Sequence, residues 1–231
     1  LTNSCAAAAL LPFSLSLAID LYIVLARVFG EGIAALVATL FWGTALFFWY
    51  GLEHLWRDRT LVNTAMSHTV AKEVSLSDRI DQMLTEARVI LPGAQAMLGF
   101  QLLAMMSETF DRLPQFSKII HASALACVAL TVICLIAPAA VHRLSFNGAD
   151  SERFYRIGSR FVTFGLLPLA LGMAGDIYVA ITKMLDSAQW GTVGACVALI
   201  TLLVLWYAYP LSLRRKGTVP RHLQSDHSTQ Q

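Results

Sequence analysis

Six stretches of about 20 residues in this chain carry almost no charge, and that constrains the fold more than any other feature. They run over Ala8–Val28, Ile33–Leu52, Val89–Met106, Ile119–Val141, Phe161–Thr182 and Trp190–Tyr209. About 20 mainly apolar residues in helical form cross the roughly 30 Å of hydrocarbon in a bilayer. A lone open strand in lipid leaves its backbone unsatisfied, so each stretch is read as a helix. The expected fold is all-α: a polytopic membrane helix bundle with six transmembrane helices. Composition agrees, with 56% hydrophobic residues, 14% charged residues and a mean hydropathy of +0.60 over 231 residues. A soluble domain has about 25% charged residues.

Charge placement sets an expected orientation. Thirteen of the 17 Lys and Arg residues fall on one side of the alternating spans and four on the other. The cytoplasmic side of a membrane protein collects the excess. Both ends of the chain are therefore expected in the cytoplasm of a bacterial inner membrane. The four on the other side are Arg27, Arg112, Lys118 and Lys183. Leu1 is not an initiator Met and no basic stretch precedes the first span, so no signal peptide is indicated.

The chain divides into a transmembrane hairpin at 1–57, a cytoplasmic linker at 58–88, a four-helix transmembrane domain at 89–210 and a polar cytoplasmic tail at 211–231. Within the linker, Ser75-Leu76-Ser77-Asp78 reads as a capping box, and Ile80, Met83, Leu84 and Ala87 follow at helical spacing. An amphipathic helix lying along the inner membrane surface is expected there.

An internal repeat is also legible. Leu10–Arg27 aligns without gaps to Leu166–Lys183 with seven of 18 positions identical, among them Pro12/Pro168, Asp20/Asp176 and Tyr22/Tyr178. One further residue of shift aligns Trp49-Tyr50 with Trp206-Tyr207. Such self-similarity indicates duplication. The copies run in the same direction, so the repeat is a partial, parallel tandem one, not the inverted kind found in many transporters.

From Asp78 to Pro210 the chain carries Leu84-Thr85-Glu86-Ala87-Arg88-Val89, then Gly93, Gln95 and Phe100. Ala137-Pro138-Ala139-Ala140-Val141-His142-Arg143-Leu144, Ser159-Arg160 and Trp206-Tyr207-Ala208-Tyr209-Pro210 follow. In these residues it resembles DUF6328, a bacterial four-helix integral-membrane domain of unknown function, and the hairpin at 1–57 looks like a partial second copy. The resemblance implies a membrane fold and no particular activity. Pro92 and Gln101 depart from the residues expected there.

Two sets of residues are candidates for a site. Asp20 and Asp176 lie within the first and fifth spans, with Arg27 or Lys183 seven residues on. A carboxylate at that depth is costly unless it faces protein or water. The pair is read either as a proton or cation site or as two structural carboxylates. Glu86, Arg88, Gln95, His142 and Arg143 gather near the inner ends of the third and fourth spans. They are read as a charge lattice at the headgroups or as a surface for a partner or lipid phosphate, with Glu86 able to pair with Arg143 and Arg88 to reach carbonyls near Pro138. Gln95, Gln101, Gly93 and Gly99 suggest a packed face on the third span, and Ala122/Ala126 and Gly172/Gly175 suggest tight packing elsewhere.

Other chemistry is not signalled. His121 and His142 stand about 31 Å apart on one helix, so they cannot share a haem or metal. Cys5, Cys127, Cys134 and Cys196 form no C-x-x-C pair. No cofactor or metal is expected, no nucleic-acid partner at a net charge of +2, and no catalytic residues, since no nucleophile elbow, P-loop or dinucleotide fingerprint occurs. The expected partners are the lipid bilayer and other membrane-protein subunits. The leading expectation is a non-catalytic accessory subunit of a larger complex; the alternative is a small proton- or cation-coupled transporter or ion pathway using Asp20 and Asp176.

Overall fold

A computed structural model describes residues 2–51, 70–145 and 152–216, with side chains described over 9–51, 76–142 and 152–213. The elements are α1 (Thr2–Phe29), α2 (Glu31–Leu46), α3 (Val70–Met105), α4 (Glu108–Asp111), α5 (Gln115–Ser145), α6 (Glu152–Leu185), α7 (Ala188–Leu203) and α8 (Tyr209–Lys216). No strand occurs among the described residues. Six helical segments are long and apolar enough to cross a membrane: Ala9–Phe29, Glu31–Gly51, Leu76–Met105, Gln115–His142, Glu152–Leu185 and Ala188–Leu213. The expected six spans are all present.

α5 is the central helix. Of its span, 72% is buried, against 6% for the last span. It is apolar all round, as a helix covered on every side must be. α6 and α3 pack against it on one side, and α1 with the turn after α2 packs on the other. α2 lies on α1, and α7 lies on α6. Because lipid tails are as apolar as Leu, such helices are held by close van der Waals contact and interhelical hydrogen bonds. The α5–α6 seam shows how. Gly172 and Gly175 lie directly over Ala124, Val128 and Ile120, leaving no room for a side chain. Gly172 and Gly175 thus serve the tight packing their spacing suggests, and the small residue they meet on α5 is Ala124 rather than Ala122 or Ala126. Large apolar side chains such as Leu36, Phe100 and Ile200 stand exposed, as expected where the surrounding solvent is lipid.

The hairpin connections are short. Gly30 alone joins α1 to α2 at φ 86°, ψ 165°, a region open essentially to glycine. Asp186 and Ser187 join α6 to α7, with Asp186 at φ 48°. The α1–α2 and α3–α5 connections lie at the same end of the bundle. Arg27 Nη1 donates to the Met105 carbonyl at 2.7 Å, and Gln115 Nε2 donates to the Val28 carbonyl at 2.9 Å. At the opposite end, α2 and α7 each finish in a π-helical turn, Phe47–Gly51 and Val204–Ala208. Each turn brackets a Trp-Tyr pair. Trp49 is fully buried and donates to the Ile133 carbonyl on α5 at 3.1 Å, while the Tyr207 hydroxyl donates to the Thr163 carbonyl on α6 at 2.6 Å.

Two expectations need correction here. The helix around Ile80 does not start at a capping box and does not form a separate surface element. α3 is one 36-residue helix from Val70 through Pro92 to Met105. At 1.5 Å per residue it is about 54 Å long, well beyond the roughly 30 Å of hydrocarbon. Ile80, Met83, Leu84 and Ala87 do share a face, and that face is buried against Leu135, Val141, Phe154 and Val162. The amphipathic pattern therefore reports packing on α5 and α6. The packed face expected on the third span is also different. Gln101 is buried, but Gln95 is exposed, and Gly93 and Gly99 have open space where a Cβ would stand. Residues 58–69, within the expected linker, and most of the tail lie outside the described residues.

Candidate functional site

Three polar side chains from three helices meet in the half of the bundle that carries the short connections. Gln101 is four residues from the end of α3, His121 six from the start of α5 and Asp176 nine from the end of α6. These offsets place them about 6, 9 and 14 Å below the helix ends, at similar depth. Gln101 Nε2 donates to Asp176 Oδ2 at 2.8 Å. His121 Nε2 lies 3.0 Å from the Gln101 main-chain carbonyl, and its Nδ1 lies 3.7 Å from Asp176 Oδ1. Gln101 and His121 are 3% and 4% exposed, so both are withdrawn from lipid and water. Phe110, from the short α4, packs edge-on to the imidazole at 5.4 Å.

The cluster forms one wall of a cavity of about 340 Å³. Phe100, Ala104, Leu113 and Val179 are among the apolar residues that line the rest, and Lys183 and Ser107 line it too. A largely apolar cavity of this size with a few convergent polar groups has the form of a ligand or ion site. Two buried acceptors in it have no hydrogen-bond partner: Asp176 Oδ1 and Gln101 Oε1. Leaving a buried acceptor unsatisfied costs about 1–3 kcal/mol. The arrangement therefore holds capacity for a further donor or a cation. Among the described residues, no three His, Cys, Asp or Glu side chains converge as metal ligands would.

Asp20 and Asp176 do not share a site. Asp20 is half-buried on α1, a helix that packs on α2 and α5, and it makes no hydrogen bond or ion pair with a described residue. Its neighbours supply no counterpart to Gln101 and His121.

The residues expected near the inner ends of the third and fourth spans are dispersed. Glu86 is exposed on α3 and accepts a long hydrogen bond from Gln82 at 3.5 Å, beside a polar cavity of about 110 Å³ lined by Arg79, Tyr155, Ser159 and Thr163. Arg79 lies over the Tyr155 ring at 4.3 Å. His142 stacks on Phe154 at 4.8 Å. Arg88 and Gln95 are exposed, and no hydrogen bond links Arg88 to the carbonyls around Pro138 among the described residues. The Arg143 side chain, and with it a Glu86–Arg143 pair, lies outside the described residues, as does His54.

His121 is the residue that sequence reasoning missed, having weighed it only as a haem ligand; Gln101 was assigned to packing alone. Depth was the available signal. Counting inward from the short connections puts Gln101, His121 and Asp176 within about two helical turns of one level.

No curated protein and no solved structure matches the chain. A family described as "Family of unknown function (DUF6328)" matches residues 72–210, well over half of the sequence and all of α5, α6 and α7. The chain belongs to this family.

Proposed function

We propose that this membrane protein is a small, non-enzymatic proton- or cation-coupled transporter or ion pathway, and that Asp176 is its ion-binding group. One observation carries the reading: Asp176 lies at a cavity between α3, α5 and α6, with one carboxylate oxygen bound by Gln101 and the other left without a donor. An intramembrane carboxylate aimed into a cavity marks an ion or proton path more often than a structural contact. The excess of Lys and Arg at the opposite end supports a bacterial inner-membrane setting with both ends of the observed chain cytoplasmic, so the cavity opens toward the outer side.

A duplication supports the reading by relating Asp176 to Asp20. α1 and α6 end 156 residues apart, at Phe29 and Leu185, and the positive-φ residues Gly30 and Asp186 have the same offset. The second connection is one residue longer. From there α2 and α7 begin, end and pass into their π turns 157 residues apart. The first hairpin keeps the acid but packs where no Gln–His pair meets it, so Asp176 alone carries the ion.

Proton flux in liposomes holding the purified chain tests this. Asp176→Asn abolishes the flux and Asp20→Asn leaves it close to that of the parent protein. Equal flux in the parent protein and the Asp176→Asn variant refutes the reading. A second reading, an accessory subunit of a larger complex, draws on the last span, whose outer face of Trp190, Val193, Val197 and Ile200 meets only α6 on its other side. Stoichiometric co-purification of larger subunits from native membrane would favour it.

A further inference from the structure

We infer that the ion held at Asp176 is a proton, shared between Asp176 Oδ1 and His121 Nδ1 in a pair whose tautomer is fixed by the Gln101 main chain. The inference deepens the proposed function and rests on its placement of Asp176 as the ion-binding group. A main-chain carbonyl only accepts, so His121 Nε2, 3.0 Å from the Gln101 carbonyl, must carry a hydrogen and donate it. A neutral imidazole has one N–H, and here it is spent on Nε2. Nδ1 is then left as a bare lone pair, and it faces Asp176 Oδ1 at 3.7 Å. An ionised carboxylate opposite that lone pair gives two acceptors with nothing between them, in a site where both side chains of the frame, Gln101 and His121, are buried.

One proton resolves this. Binding it draws the two atoms in from 3.7 Å to hydrogen-bond distance and converts a carboxylate and a neutral imidazole into a pair with no net charge, written either as carboxyl O–H donating to Nδ1 or as imidazolium Nδ1–H donating to carboxylate. The two forms differ only in the position of the proton. Losing the proton leaves one negative charge and two opposed lone pairs; adding a second leaves an imidazolium beside a neutral acid. Each extreme places a net charge in an apolar surrounding, which is costly. Gln101 acts on both partners. Its side-chain amide holds Oδ2, so that Oδ1 is the oxygen presented to His121, and its carbonyl sets the tautomer.

The other charged groups near the pair are accounted for. On α6, Lys183 lines the cavity. On α5, Lys118 donates to the Asp111 carbonyl at 2.9 Å. On α1, Arg27 is held by the Met105 carbonyl and lies 3.9 Å from Asp111. The α4 acids Glu108 and Asp111 face Arg112 and Arg27 respectively. Lys183 is thus the one charged side chain, besides the pair itself, lining the cavity among the described residues. A metal ion is a poorer occupant, because imidazole Nδ1 and one carboxylate oxygen are the only strong ligands on hand.

Nitrogen-15 NMR of histidine-labelled protein in lipid, combined with infrared spectra of the carboxyl region across a pH series, tests the pair directly. In the parent protein His121 Nδ1 shows a hydrogen-bonded, proton-sharing signal at neutral pH. In Asp176→Asn the same nitrogen reads as a plain acceptor of a neutral Nε2–H imidazole, and in His121→Gln the shared-proton signature is lost. Gln101→Leu, which removes the side-chain clamp and leaves the carbonyl, weakens the signature without changing the tautomer. A His121 titration identical in the parent protein and Asp176→Asn overturns the inference. So does a neutral imidazole beside an ionised carboxylate at neutral pH, or displacement of the signal by sodium, potassium or zinc at constant pH. Flux that fails while the shared proton is present refutes the transport reading and leaves the proton pair standing.

Discussion

Replacing Gly172 by alanine adds one methyl group at the closest point of the α5–α6 seam. The new Cβ falls 2.6 Å from Val128 Cγ2 and 3.1 Å from the Ala124 carbonyl oxygen. Carbon atoms in contact prefer about 3.5–4.0 Å, so the methyl intrudes by about 1 Å. Val128 is fully buried and β-branched, with little rotamer freedom to withdraw, and the Ala124 carbonyl belongs to helix backbone. The two helices must therefore separate. Overpacking of this kind costs about 1–3 kcal/mol. Alanine's better helix propensity returns up to about 1 kcal/mol. The net expectation is a loss of up to about 2 kcal/mol for Gly172→Ala once the full propensity gain is counted, and more for Gly172→Val. Gly93→Ala is the matched control: the same propensity gain applies, with nothing within 4 Å of the added methyl. Detergent-titrated unfolding of the purified protein followed by circular dichroism gives the difference. Equal stability of Gly172→Ala and Gly93→Ala would refute the close α5–α6 approach and the seam built on it.

Two other outcomes follow from the same architecture. Trp49→Ala, which empties a fully buried site and removes the indole donor to the Ile133 carbonyl, costs about 3 kcal/mol or more, while Trp206→Ala at a partly buried position costs clearly less; the same unfolding assay compares them. In a background stripped of native cysteines, Thr109→Cys at the exposed start of the short α4 reacts with a membrane-impermeant maleimide added to intact cells, and exposed Asp78→Cys reacts only after the cells are opened; the reverse pattern contradicts the orientation.

Much of the bundle is legible in the sequence because lipid imposes simple rules. Six apolar stretches can only be helices, whereas which of them lies at the centre shows only in the packing, where α5 is the most buried span. What composition cannot show is where a helix ends once it leaves the hydrocarbon. Glu86 and Arg88 lower the apolar character of their window, yet both are exposed on α3 while the opposite face stays packed, so the helix continues through them. Gln95 and Gln101 illustrate a second limit. Six residues at about 100° each turn them by about 240°, so two glutamines of one span cannot share a face, and only Gln101 reaches the interior. Asp176 is visible as an acid out of place in an apolar span. Its partners are not visible from their spans alone, because Gln101 and His121 become a site only when α5 carries the imidazole between α3 and α6. The same holds for Asp20, which matches Asp176 residue for residue and differs in the helices that surround it.

Three helices converge on Asp176, and a through-space correlation in solid-state NMR of the labelled protein in lipid reads that convergence. A cross-peak between the Gln101 side-chain nitrogen and the Asp176 carboxyl carbon is expected from their 2.8 Å hydrogen bond, with the Trp49 indole nitrogen and the Ile133 carbonyl, 3.1 Å from nitrogen to oxygen, as internal reference. Both cross-peaks together bear the site out. The Trp49–Ile133 peak without the Gln101–Asp176 peak would leave the bundle intact and contradict the site.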